Sequence, residues 1–381
     1  MSRHVAIALI VTSVVTLGTN TGLAQAAAPS SPQPKSEQGP FEITTVADGL
    51  QRPWGLALLP DGRMLVTERA GRLRLIDENG KVSAPLKGLP KIAAGGQGGL
   101  LDLTLSPDYA SDGFVYFSFS EPGEGGSGTA VARGRLATGA IDDVEVVWRQ
   151  TPKVDSQLHF GSRIVFAPNG TMFITTGDRY NHRPKVQDLS TTIGKVIRIE
   201  PDGSIPKDNP FVGRDGVRPE IWSYGHRNIQ AAALHPQTQT LWTVEHGARG
   251  GDELNNPQAG QNYGWPVITY GIDYSGEKIG EGTAKPGLEQ PMYYWDPVIA
   301  PSGALFYTGE AFKDWQGDLL IGSLTPGALV RLELEGGKVV KETRYLGELK
   351  QRIRDVQQGA DGSIYLITDE PKGRVLKLAP R

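Results

Sequence analysis

Short apolar runs punctuated by turn residues recur along the whole chain, and they come in pairs. Leu56–Leu59 and Met64–Val66 flank Pro60-Asp61-Gly62, while Leu103–Leu105 and Phe114–Phe117 flank a connection that opens with Pro107-Asp108. Ile164–Phe166 and Met172–Ile174 flank Pro168-Asn169-Gly170, and Ala231–Leu234 and Leu241–Val244 flank Pro236-Gln237. A looser copy sets Ala304–Tyr307 against Leu319–Ile321 across an insertion, and the last sets Asp355-Val356 against Ile364–Ile367 across Asp361-Gly362. Alternating apolar runs joined by such turns predict antiparallel strands. Copies recur roughly every 45 to 75 residues, near the size of a four-stranded blade with variable loops. The six copies predict an all-β, six-bladed β-propeller; a pair of sandwiches or an irregular all-β domain is the competing reading. Closure of the ring would pair Phe41–Val46 with the last blade near Val375–Leu378, which leaves no exposed sheet edge at the seam.

Composition sharpens this picture. The 49 glycines and 27 prolines are spread along the chain, as many short strands and turns require. The net charge of −3, with both signs interspersed, gives no footprint for nucleic acid. At the N-terminus Arg3-His4, the apolar run Val5–Leu17 and Ala24-Gln25-Ala26 read as a signal peptide over residues 1–26. Its apolar run is short for a stable membrane span, so export to the periplasm or medium is expected. The Pro- and Ser-rich residues 27–40 read as a flexible leader, and 41–381 as the propeller domain. With no cysteine, the exported fold must rest on burial, ring closure and any bound ions instead of disulfides.

Candidate chemistry falls in the loops around the repeats, where a propeller carries its function. His159 precedes the third hairpin and Asp178 ends it, so the returning strand would bring the carboxylate beside the imidazole. The pair serves either as a base with its orienting acid or as a structural hydrogen bond. Arg227 and Asn228 put a cation and an amide at one turn. Arg352 and Arg354, two apart in a strand, would share a face and suit a polycarboxylate, or else form a solvated basic edge. Glu253, Tyr263 and the carbonyls of Gly247 and Ala248 offer hard oxygen ligands for calcium, without a twelve-residue calcium-loop signature.

Taken in order, His159, Gly225-His226-Arg227-Asn228, Glu245-His246-Gly247, Asp252-Glu253-Leu254-Asn255, Tyr263-Gly264-Trp265-Pro266 and Arg352-Ile353-Arg354-Asp355 resemble the glucose/sorbosone dehydrogenase family, most closely its aldose sugar dehydrogenase branch. Gly96-Gln97-Gly98-Gly99-Leu100-Leu101 and Pro301-Ser302-Gly303 extend the likeness, which runs from about Leu50 to Leu378. The resemblance implies a six-bladed propeller that binds pyrroloquinoline quinone (PQQ) and calcium, oxidises aldose sugars to lactones by hydride transfer, and passes electrons to an external acceptor. It implies that His159 is the general base, oriented by Asp178, and that Arg227 stabilises charge developing on the quinone oxygen. Gln97, Asn228, Arg352 and Arg354 would hold the cofactor with them; Gly247 and Ala248 would bind a catalytic calcium, and Glu253 and Tyr263 a structural one.

Two positions depart from the family pattern. Gly322-Ser323-Leu324 is followed by Thr325-Pro326-Gly327 where a cofactor-binding lysine is common, so one carboxylate contact is lost or replaced. His246 stands where a glutamine can stand. The rival classes are a calcium-dependent propeller lactonase, which needs fewer cations at the mouth, and a non-catalytic glycan- or peptide-binding propeller, which does not need His159 and Arg227 together.

Overall fold

The computed structural model describes residues 34–381, together with Met1 and the backbone of Ala28–Pro29. The signal peptide expected over residues 1–26, apart from Met1, lies outside the described residues, as does the leader up to residue 33 apart from that dipeptide. Six sheets carry the rest of the chain, and in each the inner and second strands are the two apolar runs of one sequence repeat. The inner strands are Pro53–Leu58, Leu100–Leu105, Ile164–Phe166, Ile229–Leu234, Pro301–Phe306 and Ile353–Gln358, one for each of blades 1 to 6. The architecture is a six-bladed β-propeller.

The runs are apolar on both sides because each blade is buried on both faces. In blade 2, Val115, Phe117 and Phe119 alternate with Tyr116; the first three pack with Leu65 and Leu73 of blade 1, while Tyr116 packs with Ile164 and Met172 of blade 3. Equivalent layers fill the other blade interfaces, the largest joining Leu320 and Leu329 of blade 5 to Val356, Ile364 and Leu366 of blade 6. The ring closes as the sequence predicts. Phe41–Leu50 pairs antiparallel with Gly373–Pro380, with Leu378 opposite Ile43 and Leu376 opposite Thr45. Part of the expected leader is also engaged, since Ser36–Glu37 runs parallel to Arg344–Tyr345 on the outer edge of blade 5.

One end of the ring is irregular in a way that matters for the site. In blades 1, 2, 4, 5 and 6 the pairing of the inner strand slips near its N-terminal end, for example between Pro53 and Leu56 and between Ile353 and Asp355. Such bulges re-aim side chains at the rim of a sheet. In blade 3 the inner strand starts late, at Ile164, after His159 and Ser162 adopt positive φ of 52° and 91°.

Arg163 plugs the channel below this rim. Its Nη1 lies 2.6 Å from Asp102 and 2.9 Å from Asp355, and Nε donates to the Gln230 carbonyl at 2.7 Å. The guanidinium also stacks 4.3 Å from the Trp54 ring. One side chain therefore ties five blades together and separates the rim from a cavity of about 510 Å³ at the other end of the channel.

Candidate active site

The third hairpin delivers His159 and Asp178 to the same point. His159 Nδ1 lies 2.6 Å from Asp178 Oδ1, and both residues are buried. The approach requires Gly177, because a Cβ there would stand 2.2 Å from the His159 carbonyl oxygen. Asp178 is held in turn: Tyr180 N–H donates to its Oδ1 at 2.7 Å, and Trp265 Nε1–H donates to its Oδ2 at 2.8 Å. Gln97 Oε1 accepts the His159 backbone N–H at 2.8 Å. Arg179, stacked 3.6 Å over Phe160, donates to the carbonyls of Ser127, Ser156 and Leu158 and so fixes the chain leading into His159.

These contacts set the protonation state. Burial holds the His159 pKa below the ordinary histidine value, against the raising effect of Asp178, and the cations Arg227 and Arg179 lower it further. The ring is therefore neutral near pH 7. Because a carboxylate can only accept, the proton sits on Nδ1 and the Nε2 lone pair is the basic atom.

Arg227 shares this cleft with His159 and Trp265. Its backbone N–H donates to Glu245 Oε2 at 2.5 Å, Nη1 donates to the His246 carbonyl at 3.0 Å, and its guanidinium lies 5.3 Å from the Trp265 ring. Asn228 Oδ1 accepts Gly161 N–H at 3.1 Å, binding the loop of blade 4 to that of blade 3. His246 donates from Nε2 to the Pro301 carbonyl at 2.7 Å. Burial, then Arg227 and His159, keep its pKa well below the usual range, so it too is neutral.

Arg352 lies just before the strand Ile353–Gln358 and Arg354 within it, and the two meet at Asp369. Arg354 is buried, donates to Asp369 and to Gln230 Oε1 at 2.9 Å, and Arg352 Nε stands 3.6 Å from the same Asp369 carboxylate. Arg352 Nη1 also donates to the Leu324 carbonyl at 3.3 Å, beside Thr325. Arg52 Nη1 comes within 3.7 Å of Asp369, and Arg69 is pushed down in pKa by burial and by its neighbours Arg52 and Arg352. The mouth thus carries more positive than negative charge. Buried Nε atoms of Arg227 and Arg354 have no hydrogen-bond partner among the described residues. Unsatisfied guanidinium donors beside excess cations fit a multiply carboxylated ligand such as PQQ.

Around the calcium candidates the charge balance reverses. Burial, then Glu245 and Asp252, push the Glu253 carboxyl well above the usual carboxylate range, and the buried Asn255 Oδ1 has no partner among the described residues. A cation would relieve both. Asp252 accepts backbone N–H groups from Gly247 at 2.7 Å, Ile299 at 2.8 Å and Ala300 at 2.7 Å, which fixes the Gly247-Ala248 turn. The Tyr263 hydroxyl donates to the Asn256 carbonyl at 2.6 Å, and its ring stacks 4.8 Å from His226. Among the described residues no three His, Cys, Asp or Glu side chains converge as a ligand set, so a cation would need backbone carbonyls and amide oxygens as well.

Trp265, Glu245, Gln230 and Asp369 gained no role from the sequence. A signal was present: Glu68, Asp178, Glu245 and Asp369 each end, or lie within three residues after, the second strand of a blade, and each acid anchors a cation, an imidazole or a backbone amide at the rim.

Comparison with known proteins places this geometry. The chain is 47% identical over 345 residues to the aldose sugar dehydrogenase YliI of Escherichia coli K12, covering 89% of this chain and 93% of that protein. The crystal structure of the soluble aldose sugar dehydrogenase from Escherichia coli in its apo form superposes with a TM-score of 0.87 at 46% identity, over 90% of this chain and 100% of the other. The PQQ-bound aldose sugar dehydrogenase of Streptomyces coelicolor superposes with a TM-score of 0.74 at 29% identity, over 91% and 99% of the two chains. The family model for glucose / sorbosone dehydrogenase matches residues 50–377, and the chain belongs to that family.

Proposed function

We propose that this protein oxidises aldose sugars at the anomeric carbon to lactones, with PQQ and calcium, and delivers the electrons to an external acceptor. The observation that carries the reading is a neutral, buried His159, locked by Asp178, in one cleft with Arg227 and beside a cation-rich mouth. PQQ-bound structure in a relative and the aldose sugar dehydrogenase relatives support it.

The anomeric hydroxyl loses its proton to His159 Nε2 as the C1–H bond breaks, and Asp178 stabilises the imidazolium that forms. Bound PQQ would supply the two-electron acceptor for the hydride leaving C1, with calcium as Lewis acid. Arg227 places a buried guanidinium where negative charge develops, in a setting of low dielectric that strengthens its effect. Gln97 and Asn228 keep the His159 loop in place through Oε1 and Oδ1, and with Arg352 and Arg354 they would hold the cofactor. Arg352 stands beside Leu324 and Thr325, where it would meet a cofactor carboxylate in place of the lysine of the family pattern. Gly247 and Ala248 would hold the catalytic calcium, and Glu253 and Tyr263 the structural one. The signal peptide expected over residues 1–26 would put the reaction outside the cytoplasm, and no helix among the described residues is long and apolar enough to cross a membrane.

His159→Ala tests the assignment. The variant should still quench or shift the PQQ spectrum on binding, while single-turnover reduction by glucose slows by about a hundredfold or more. Normal reduction in that variant would remove His159 from the base role.

A further inference from the structure

The turn 273–277 stands over the cleft that holds His159, and Arg183 braces it. Asp273 N–H donates to the Glu277 carbonyl at 2.9 Å, and Ile272 and Arg249 exchange backbone hydrogen bonds at 3.0 Å each. Arg183 Nη1 and Nη2 both reach Asp273 Oδ2 at 3.1 Å, and the same guanidinium lies 6.0 Å from the ring of Trp265, the donor to Asp178. Tyr274, at the tip, lines the cleft together with Tyr180 and Ile279. It is 60% exposed, more than any other aromatic side chain among the described residues. An aromatic ring left in water at the entrance of a site, with an ion pair at its side, is a platform for the C–H face of a sugar ring with polar groups for its hydroxyls.

The chemistry fixes which part of a substrate would lie there. Oxidation at C1 requires the reducing-end sugar to enter with C1 toward His159 Nε2. In a pyranose the C4 edge is opposite C1, so a unit linked through O4 leaves the cleft toward the rim. We propose that Tyr274, with Arg183 and Asp273 beside it, forms a second sugar subsite that takes the non-reducing unit of a 1,4-linked reducing disaccharide. The inference rests on the aldose-oxidising reading above and adds to it a specificity-determining residue.

The test uses the full-length protein reconstituted with PQQ and calcium, and compares glucose with maltose and cellobiose as substrates. For the 1,4-linked disaccharide that wild type prefers, the ratio of its kcat/KM to that of glucose should fall about three- to tenfold in Tyr274→Ala, the range expected for losing one aromatic stacking partner. The loss should appear in KM for the disaccharide with kcat retained, and Tyr274→Trp should keep or raise the ratio. An unchanged ratio in Tyr274→Ala, a loss confined to kcat, or no oxidation of either disaccharide by a wild type that oxidises glucose would overturn the subsite alone. A reconstituted wild type that oxidises no aldose would overturn the parent reading, and the subsite with it.

Discussion

Replacing Asp178 by asparagine should slow sugar oxidation while leaving the fold and cofactor binding in place. The wild-type carboxylate accepts three donors: His159 Nδ1–H at 2.6 Å, Tyr180 N–H at 2.7 Å and Trp265 Nε1–H at 2.8 Å. An asparagine has one acceptor oxygen, so its NH2 must face at least one of these donors. If it faces His159, the ring is driven to the other tautomer, with the proton on Nε2 and no lone pair in the cleft. A hydrogen bond to a charged partner contributes about 1.5–3 kcal/mol. If that is lost from the transition state, the rate falls by about tenfold to about 150-fold. The pH dependence has a definite sign as well. Asp178 raises the His159 pKa, so its removal lowers that pKa further and moves the acid limb of the rate profile to lower pH. Stopped-flow reduction of the reconstituted protein by glucose between about pH 5 and 9 reads both effects. A plateau rate within twofold of wild type, or an acid limb displaced upward, would refute the role of Asp178 and weaken that of His159.

Two further expectations concern stability. Phe41 packs edge-on against Tyr345 at 5.7 Å, Trp315 at 6.1 Å and Phe312 at 6.4 Å, so Phe41→Ala should destabilise the ring closure by about 3–5 kcal/mol in chemical denaturation; a cost near zero would mean that the closing strand does not support the ring. Lys195 is buried, with Nζ donating to the carbonyls of Val186 at 2.8 Å and Ile193 at 2.7 Å, and desolvation pulls its pKa down to about 7. The unfolded chain binds that proton up to its ordinary value of 10.5, so between the two values it holds more protons than the folded state and stability rises with pH. From pH 7 to pH 9.5 the gain attributable to this residue should approach about 3 kcal/mol, and it should vanish in Lys195→Met. An equal pH slope in both proteins would contradict the assignment.

What the sequence could reveal followed the distance over which each feature is encoded. The inner and second strands of every blade were legible because both belong to one hairpin, with its turn chemistry between them, as in Ile164–Phe166 and Met172–Thr175. The His159–Asp178 contact was legible for the same reason, and ring closure followed from the need to cover an edge. Outer strands such as Ile221–Tyr224 were not singled out, since long loops precede them and their apolar pattern is short. The centre of the channel was hidden for a different reason. Arg163 meets Asp102 and Asp355, residues 61 and 192 positions away, which only the closed ring brings together. Asp369 carries no local signal, unlike the paired arginines it gathers, because an acid at a strand end has an ordinary local sequence. The recurrence of such acids after the second strands is a signal visible only when the repeats are aligned with one another.

PQQ and calcium together are expected to make this propeller an aldose dehydrogenase. Purified protein stripped of both should be assayed for dye reduction with a panel of aldoses, with PQQ and calcium added singly and together. Sugar-dependent dye reduction is expected only when both are present, with lactone formed in step with the dye reduced. Full activity without PQQ, or no activity and no PQQ binding with both present, would contradict it.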